Sequence, residues 1–99
     1  NNPYMYADTG IPLLFQEVYK LGAVKSRLIV KVAGGAQVLD DNGFFAIGKR
    51  NYIILKKMFW KNKILIKGED VGGTKYRTLH LELKTGKTWI KTRNGEYEI

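Results

Sequence analysis

The apolar positions near the start of the chain predict an amphipathic helix. They recur at intervals of three and four residues, which lines one face of a helix. The positions are Ile11, Leu14, Phe15, Val18 and Leu21. Asp8 or Thr9 is suited to cap the amino end, Pro12 falls in the first turn, and Gly22 suits the left-handed residue that ends a helix.

Helical spacing returns between Gly48 and Asn62. The inward positions of this second helix are Asn51, Ile54, Leu55 and Met58, flanked by Tyr52 and Phe59. Lysines occupy the other face, at Lys49, Lys56, Lys57 and Lys61. The second helix is therefore also predicted to be amphipathic.

Short β-branched or alternating segments predict the strands. The first runs from Arg27 to Ala33, ends at Gly34-Gly35, and alternates poorly, which is typical of a strand covered on both faces. A second strand is predicted around Ile64 to Ile66. Between the first strand and the second helix, residues Gln37 to Phe45 predict a loop with a turn at Asn42-Gly43.

The last third of the chain predicts a hairpin. From Tyr76 to Leu83 the pattern alternates strictly, with leucines expected inward and His80 outward. The turn Lys84 to Lys87 then leads into a strand from Thr88 to Arg93. The predicted order is α-β-α-β-β-β, without an internal repeat or linker. We therefore expect one α+β domain over residues 1–99, with mixed β-sheet layers and two amphipathic helices.

Composition excludes several kinds of site. The 99 residues include 17 basic and 9 acidic side chains, a net charge of +8, one histidine and no cysteine. Disulfides, thiolate metal sites and a cysteine nucleophile within these residues are excluded, and a single histidine disfavours a metal centre. No apolar run approaches the roughly 18 residues that span a bilayer, so membrane insertion is not predicted. A missing initiator methionine and signal peptide lead us to expect a cytoplasmic piece of a longer protein.

Local motifs that resemble catalytic or nucleotide sites have simpler explanations. The segment from Gly43 to Arg50 has phosphate-loop spacing, but Arg50 replaces the hydroxyl residue that binds magnesium. His80 is expected to be an exposed strand histidine. Glu69 and Asp70 are adjacent, so on a strand they point to opposite faces and do not form a carboxylate pair. Asp70 is expected to accept backbone N–H bonds in a turn before Gly72.

A basic segment supports an alternative function. Seven basic residues and no acidic one lie between Lys49 and Lys67, and Ile53 and Trp60 fall near the same helical face as Lys56 and Lys57. Such a helix could bind an acidic protein, which we favour over nucleic acid, or be an ordinary solvated face. No nucleic-acid motif is present. The alternative is thus a non-enzymatic binding module that uses the basic second helix.

The glycine-bearing motifs, taken in order, resemble the chemoreceptor glutamine deamidase family, CheD, over nearly all of the chain. They are Tyr6-Ala7-Asp8, Leu21-Gly22-Ala23, Lys31 to Ala36, Ile47 to Asn51, Glu69 to Gly73, Arg77 and Thr85-Gly86-Lys87. The resemblance implies a CheD-like, cysteine-hydrolase-like fold of which this chain is the carboxy-terminal two thirds. It also implies hydrolysis of receptor glutamine side chains to glutamate, with no metal or organic cofactor.

The family uses a cysteine nucleophile, a histidine base and a threonine that orients the histidine. In the family these lie ahead of the Tyr-x-Asp motif, so we expect the catalytic cysteine and histidine upstream of Asn1. No catalytic residue is assigned within the chain, and His80 does not replace the family histidine. The residues expected to form the scaffold near the site are Asp8, Gly34, Gly35, Arg50, Asn51, Asp70, Gly72 and Gly73. We expect Asn51 and Asp8 to hydrogen-bond backbone beside the catalytic segment.

The resemblance also implies two kinds of partner. These are the helices of chemoreceptors (methyl-accepting chemotaxis proteins) and the chemotaxis phosphatase CheC, with no nucleic acid. Leu39, Phe44 and Phe45 are candidates for an apolar docking patch in the predicted loop. The other interpretation, that they are ordinary loop residues folded onto the core, is equally open.

Overall fold

The computed structural model describes residues 2–37 and 47–99. Within these two ranges, two helices and five strands follow one another, with a short 3₁₀ turn at Lys25–Arg27. They are α1 (Ala7–Lys20), β1 (Val30–Gly34), α2 (Ile47–Lys61), β2 (Ile66–Val71), β3 (Thr78–Leu81), β4 (Thr88–Thr92) and β5 (Gly95–Glu98). The α+β class with mixed sheets and two helices is confirmed. Among these residues no helix is both long and apolar enough to cross a membrane.

Strands β1 and β2 form a parallel pair that runs from Val30 opposite Ile66 to Gly34 opposite Val71, with a one-residue register shift between Val30 and Lys31. Parallel strands need a long crossover connection, and α2 lies within the segment that joins them. The two helices pack against each other through an edge-to-face contact between Phe15 and Phe59, whose ring centres are 5.8 Å apart. The two predicted apolar faces therefore meet at these rings, but Leu14 and Leu21, also predicted on the apolar face of α1, are exposed.

Strands β3, β4 and β5 form an antiparallel sheet in that order. Ile90, at the centre of β4, is fully buried. The end of this sheet lies against the parallel pair: the Lys31 ammonium donates to the Ile99 carbonyl at 2.7 Å. A side chain at Gly68 would begin 3.0 Å from the carbonyl carbon of Ile99, which explains the glycine in the middle of β2.

The parallel pair has other elements on both faces, as the poor alternation of the first strand predicts. Tyr52 of α2 donates a hydrogen bond to Glu69, whereas the next residue, Asp70, accepts one from Tyr97 of β5. Adjacent strand residues point to opposite faces, so the helices lie on one side of β2 and the antiparallel sheet on the other. The prediction that these two carboxylates do not form a pair is confirmed.

The cap predicted for α1 is wrong. The helix begins at Ala7, its N-cap is Tyr6 without a side-chain hydrogen bond, and Asp8 lies inside the first turn. The Thr9 hydroxyl is also inside the helix and donates to backbone carbonyls, including that of Pro3 at 2.5 Å. The carboxyl end matches the prediction, because Gly22 follows the helix with φ +101°.

Two predictions about the hairpin need correction. Leu79 and Leu81 do share a sheet face with Ile90 and Thr88, because directly paired residues lie on one face, yet both are more than half exposed. Leu83, also predicted to face inward, is 89% exposed. Strand β3 is an edge strand, which leaves Leu79 and Leu81 open on one side. His80 is half-buried rather than exposed, since its ring stacks on Trp89 at 5.0 Å.

Candidate functional site

The carboxyl ends of the two parallel strands open onto a glycine-lined cleft. Both strand ends carry glycines with positive φ: Gly34, the last residue of β1, at +114°, Gly35 at +67°, Gly72 at +75° and Gly73 at +69°. A cleft of about 230 Å³ lies beside the end of β1. Its other walls are the segment ahead of α1 and the first turns of α2. Ligand sites in α/β proteins commonly lie at the carboxyl ends of strands, so this is the candidate site.

Two backbones touch at the rim of the cleft. A Cβ atom added to Gly48, in the first turn of α2, would lie 2.5 Å from the carbonyl oxygen of Gly35. A Cβ atom added to Gly35 would lie 3.3 Å from the Gly48 carbonyl oxygen. Side chains are therefore excluded at Gly48 and strained at Gly35. Glycine at these two positions allows the two backbone segments to lie in direct contact.

Arg77 joins the ends of both strands. Its Nη2 donates to the Gly72 carbonyl at 2.7 Å, its Nη1 to the Gly34 carbonyl at 3.3 Å, and its Nε to Asp70 at 3.1 Å. The Arg77 side chain is only 6% exposed. The Gly72 amide also donates to the Gly34 carbonyl, at 2.9 Å. The guanidinium therefore fixes the spacing of the glycine-rich ends with three of its five donors.

Asp70 is the anion that balances Arg77. The same carboxylate oxygen accepts from the Tyr97 hydroxyl and lies 3.6 Å from the Lys75 ammonium. Desolvation raises the pKa of Asp70, but the hydrogen bonds from Tyr97 and Arg77, with the nearby positive charges, hold it below its ordinary value. The prediction that Asp70 accepts backbone bonds in a turn is wrong: it is a strand residue that binds side chains.

Asn51 links the two helices at the edge of the cleft. Its Oδ1 accepts a hydrogen bond from the backbone N–H of Ala7 at 2.9 Å. The first amides of a helix have no hydrogen-bond acceptor within the helix itself, and Asn51 supplies an acceptor for one of them. Asn51 thus bonds to backbone, but to the first residue of α1 and not to a loop as expected. Asp8 is exposed and forms no side-chain hydrogen bond to a described residue. Arg50 is exposed on α2.

The structure thus brings Gly34, Gly35, Asn51, Gly72 and Asp70 to one end of the parallel pair. Sequence reasoning gave no site role to Arg77, although its motif was noted, and missed Tyr97 because β5 was not predicted. Gly48 was also missed; the signal was a glycine at the start of a helix, where it weakens the helix and needs a packing reason. The proposed docking residues Leu39, Phe44 and Phe45 lie outside the described residues. Within residues 2–37 and 47–99 no cluster of potential metal ligands occurs.

The fold and cleft define an α+β scaffold in which an arginine fixes the glycine-rich ends of a parallel β-α-β unit. The sequence model of one family, CheD chemotactic sensory transduction, matches residues 1–92. The chain therefore belongs to the CheD family.

Relatives from distant organisms carry the same family name. A protein of Syntrophus aciditrophicus is 58% identical over 93 residues, covering 94% of this chain and 58% of the relative. One of Solibacter usitatus is 49% identical over 98 residues, covering 99% and 58%. One of Pyrococcus horikoshii is 46% identical over 92 residues, covering 91% of this chain and 57% of the relative. All three are named "probable chemoreceptor glutamine deamidase CheD", the first with the number 1. The chain spans somewhat over half the length of these relatives.

Proposed function

We propose that this chain is the scaffold part of a receptor glutamine deamidase, and that its glycine-lined cleft adjoins the site where receptor glutamine side chains become glutamate. The observation that supports this most strongly is the 58% identity to a relative named for that activity. The resemblance read from the motifs implies the same reaction. Polypeptide is the proposed substrate class, and the reaction needs water but no cofactor.

The proposed chemistry requires a nucleophile that these 99 residues do not contain. In the family mechanism a thiolate attacks the amide carbon, ammonia leaves, and water releases the carboxylate. The chain has no cysteine. Its one histidine, His80, lies in the antiparallel sheet, stacked on Trp89, and not among the residues lining the cleft. We therefore assign the chain a scaffold role, in which Gly34, Gly35, Gly72 and Gly73 shape the backbone and Arg77 holds it.

A chimaera tests this assignment. The part of the Syntrophus relative that this chain does not cover is fused ahead of Asn1, and a chemoreceptor cytoplasmic fragment is offered as substrate. Mass spectrometry of the fragment should detect conversion of glutamine to glutamate with the chimaera. A matched chimaera whose added cysteines are all replaced by alanine should give none, and neither should the 99 residues alone. Conversion by the 99 residues alone, or by the cysteine-free chimaera, would refute the proposal.

The proposed partners are chemoreceptor helices and a CheC-type phosphatase, and the proposed location is the cytoplasm, where receptor signalling helices lie. We expect Leu39→Asp to abolish binding of both partners, because a charge would be placed in an apolar docking patch. Leu83→Asp is the matched control, since Leu83 is 89% exposed on the β3–β4 hairpin. Affinity is measured by calorimetry, with circular dichroism to check the fold. Unchanged affinity for Leu39→Asp would remove the docking patch.

A further inference from the structure

The solvent-facing side of α2 is strongly basic and unpaired. Its exposed cations include Lys49, Lys56, Lys57 and Lys61, and α2 has no acidic residue in its first turn. None of these lysines forms a salt bridge with a residue in the described part of the chain. Lys56 lies over the Tyr52 ring at 5.5 Å, so its stem lies along the helix surface. This concentration of charge is unexplained by the fold.

Two apolar side chains lie along the middle of this surface. Trp60 is 85% exposed and Ile53 is 44% exposed. They are seven residues apart, which places them on nearly the same line along the helix, about 10.5 Å from each other. Lys56 and Lys57 lie between them, one to each side of that line. Tryptophan is mostly buried in folded proteins, so such exposure at the centre of a charged face indicates a contact surface.

We propose that this surface, the basic face of α2, binds an acidic amphipathic helix of a protein partner. Helices that dock on a helix use apolar anchors at seven-residue spacing, as Ile53 and Trp60 offer, with charges flanking the seam. The two rows of lysines require carboxylates on both sides of the partner's apolar seam. The face is opposite Asn51 on α2, so it is separate from the glycine-lined cleft, and the inference does not depend on the deamidase proposal.

Other anionic surfaces fit the basic face less well. A membrane requires a broad apolar face for insertion, whereas on the basic face of α2 Lys56 and Lys57 lie between Ile53 and Trp60. Nucleic acid would use the positive charge, but the face consists mainly of lysines, with Arg50 as the neighbouring arginine. A lysine ammonium lacks the planar guanidinium that binds phosphates and bases through two parallel hydrogen bonds. Ile53 would also gain nothing from a phosphate backbone. An acidic helix uses both the charges and the apolar pair.

Designed peptides test the proposal with the 99-residue chain. The probe is a labelled helical peptide of three heptads, with one leucine per heptad flanked by glutamates. The comparison peptide has the same composition in scrambled order. Binding is followed by fluorescence anisotropy at about 0.1 M salt. We expect the scrambled peptide to bind at least about tenfold more weakly, because only the ordered peptide aligns leucine with Trp60 and Ile53.

Variants localise the interaction. Trp60→Ala, and Lys56→Glu combined with Lys57→Glu, should each weaken binding of the ordered peptide by at least about tenfold. The matched controls, Leu83→Ala and Lys84→Glu on the β3–β4 hairpin, should leave binding unchanged. Equal binding of the two peptides, or equal losses in the controls, would overturn the proposal. So would tighter binding of a thymidine oligonucleotide or of phosphatidylserine vesicles than of the ordered peptide.

Discussion

Removing the guanidinium of Arg77 should destabilise the fold at the glycine-rich strand ends. Replacing Arg77 by methionine keeps most of the side-chain length and removes three hydrogen bonds, to Asp70, Gly34 and Gly72. Asp70 keeps its bond from Tyr97 and its ion pair with Lys75, and the Gly34 carbonyl keeps the Gly72 amide. The loss therefore falls mainly on the partly buried Asp70 carboxylate, which is then less well paired, and on the Gly72 carbonyl.

The expected magnitude follows from these contacts. Breaking a buried ion pair by removing one partner costs about 3–5 kcal/mol, and the remaining partners of Asp70 place Arg77→Met near the lower end, at about 3 kcal/mol. A domain of this size has a free energy of unfolding of about 5–15 kcal/mol. With a urea slope of about 1–1.5 kcal/mol/M, the midpoint of unfolding should fall by about 2–3 M.

Urea unfolding followed by far-ultraviolet circular dichroism measures this change. Lys91→Met is the matched control, because Lys91 forms an exposed ion pair with Glu96 at 4.0 Å and should lose less than about 1 kcal/mol. Adding Asp70→Asn to Arg77→Met should cost less than the two single changes combined, because the buried charge is then gone. A loss below about 0.5 kcal/mol for Arg77→Met, or strict additivity of the pair, would refute the reasoning.

Three further predictions concern the same end of the molecule. The pKa of Asp70 in the folded protein is lower than its ordinary value of 3.8, so the ionised carboxylate stabilises the fold at pH values above 3.8, and this stabilisation is lost as the pH falls through the folded-state pKa. Urea titrations should therefore show a difference in the free energy of unfolding between wild type and Asp70→Asn at pH 6 that becomes smaller at pH 3. A difference that stays constant would contradict this prediction. Gly48→Ala should lower the free energy of unfolding by about 1–3 kcal/mol despite alanine's better helix propensity, because the added Cβ would lie 2.5 Å from the Gly35 carbonyl oxygen. If the variant were more stable than wild type, the close contact between Gly48 and Gly35 would be excluded. Asn51→Ala should lower the free energy of unfolding by about 1 kcal/mol, as loss of a helix cap does, whereas Asp8→Ala should lower it by less than half of that. If thermal unfolding showed Asp8→Ala to be the more destabilising of the two, this would contradict the observed cap.

Much of the architecture could be predicted because its signals are local. The inward face of α2 follows directly from spacing, as does most of the apolar stripe of α1 apart from the exposed Leu14 and Leu21. Gly22 marks the end of α1 as expected. The α1 cap could not be found locally, because its acceptor, Asn51, is 44 residues from Ala7. Strand β5 carries no apolar alternation and forms only by pairing with β4.

The backbone conformation of the glycine-rich strand ends could be predicted, whereas the side-chain contacts around Asp70 could not. Glycine pairs at the strand ends indicate left-handed conformations from sequence alone. The partners of Asp70 depend on how the antiparallel sheet packs on β2, and no local pattern encodes that packing. Arg77 and Tyr97 reach Asp70 from outside β2, from the segment before β3 and from β5.

The start of α2 contacts two other elements within one turn, and this makes the cleft sensitive to helix register. Gly48 lies against the backbone of Gly35, and Asn51 holds the first amide of α1. A shift of α2 by one residue would turn each side chain by about 100° and move it about 1.5 Å along the axis. Lys49 would then occupy the place where no Cβ fits, and Tyr52 would replace the amide that accepts from Ala7. An insertion or deletion of one residue ahead of α2 must therefore be absorbed before Gly48, in the connection from Gly35, or the cleft is lost.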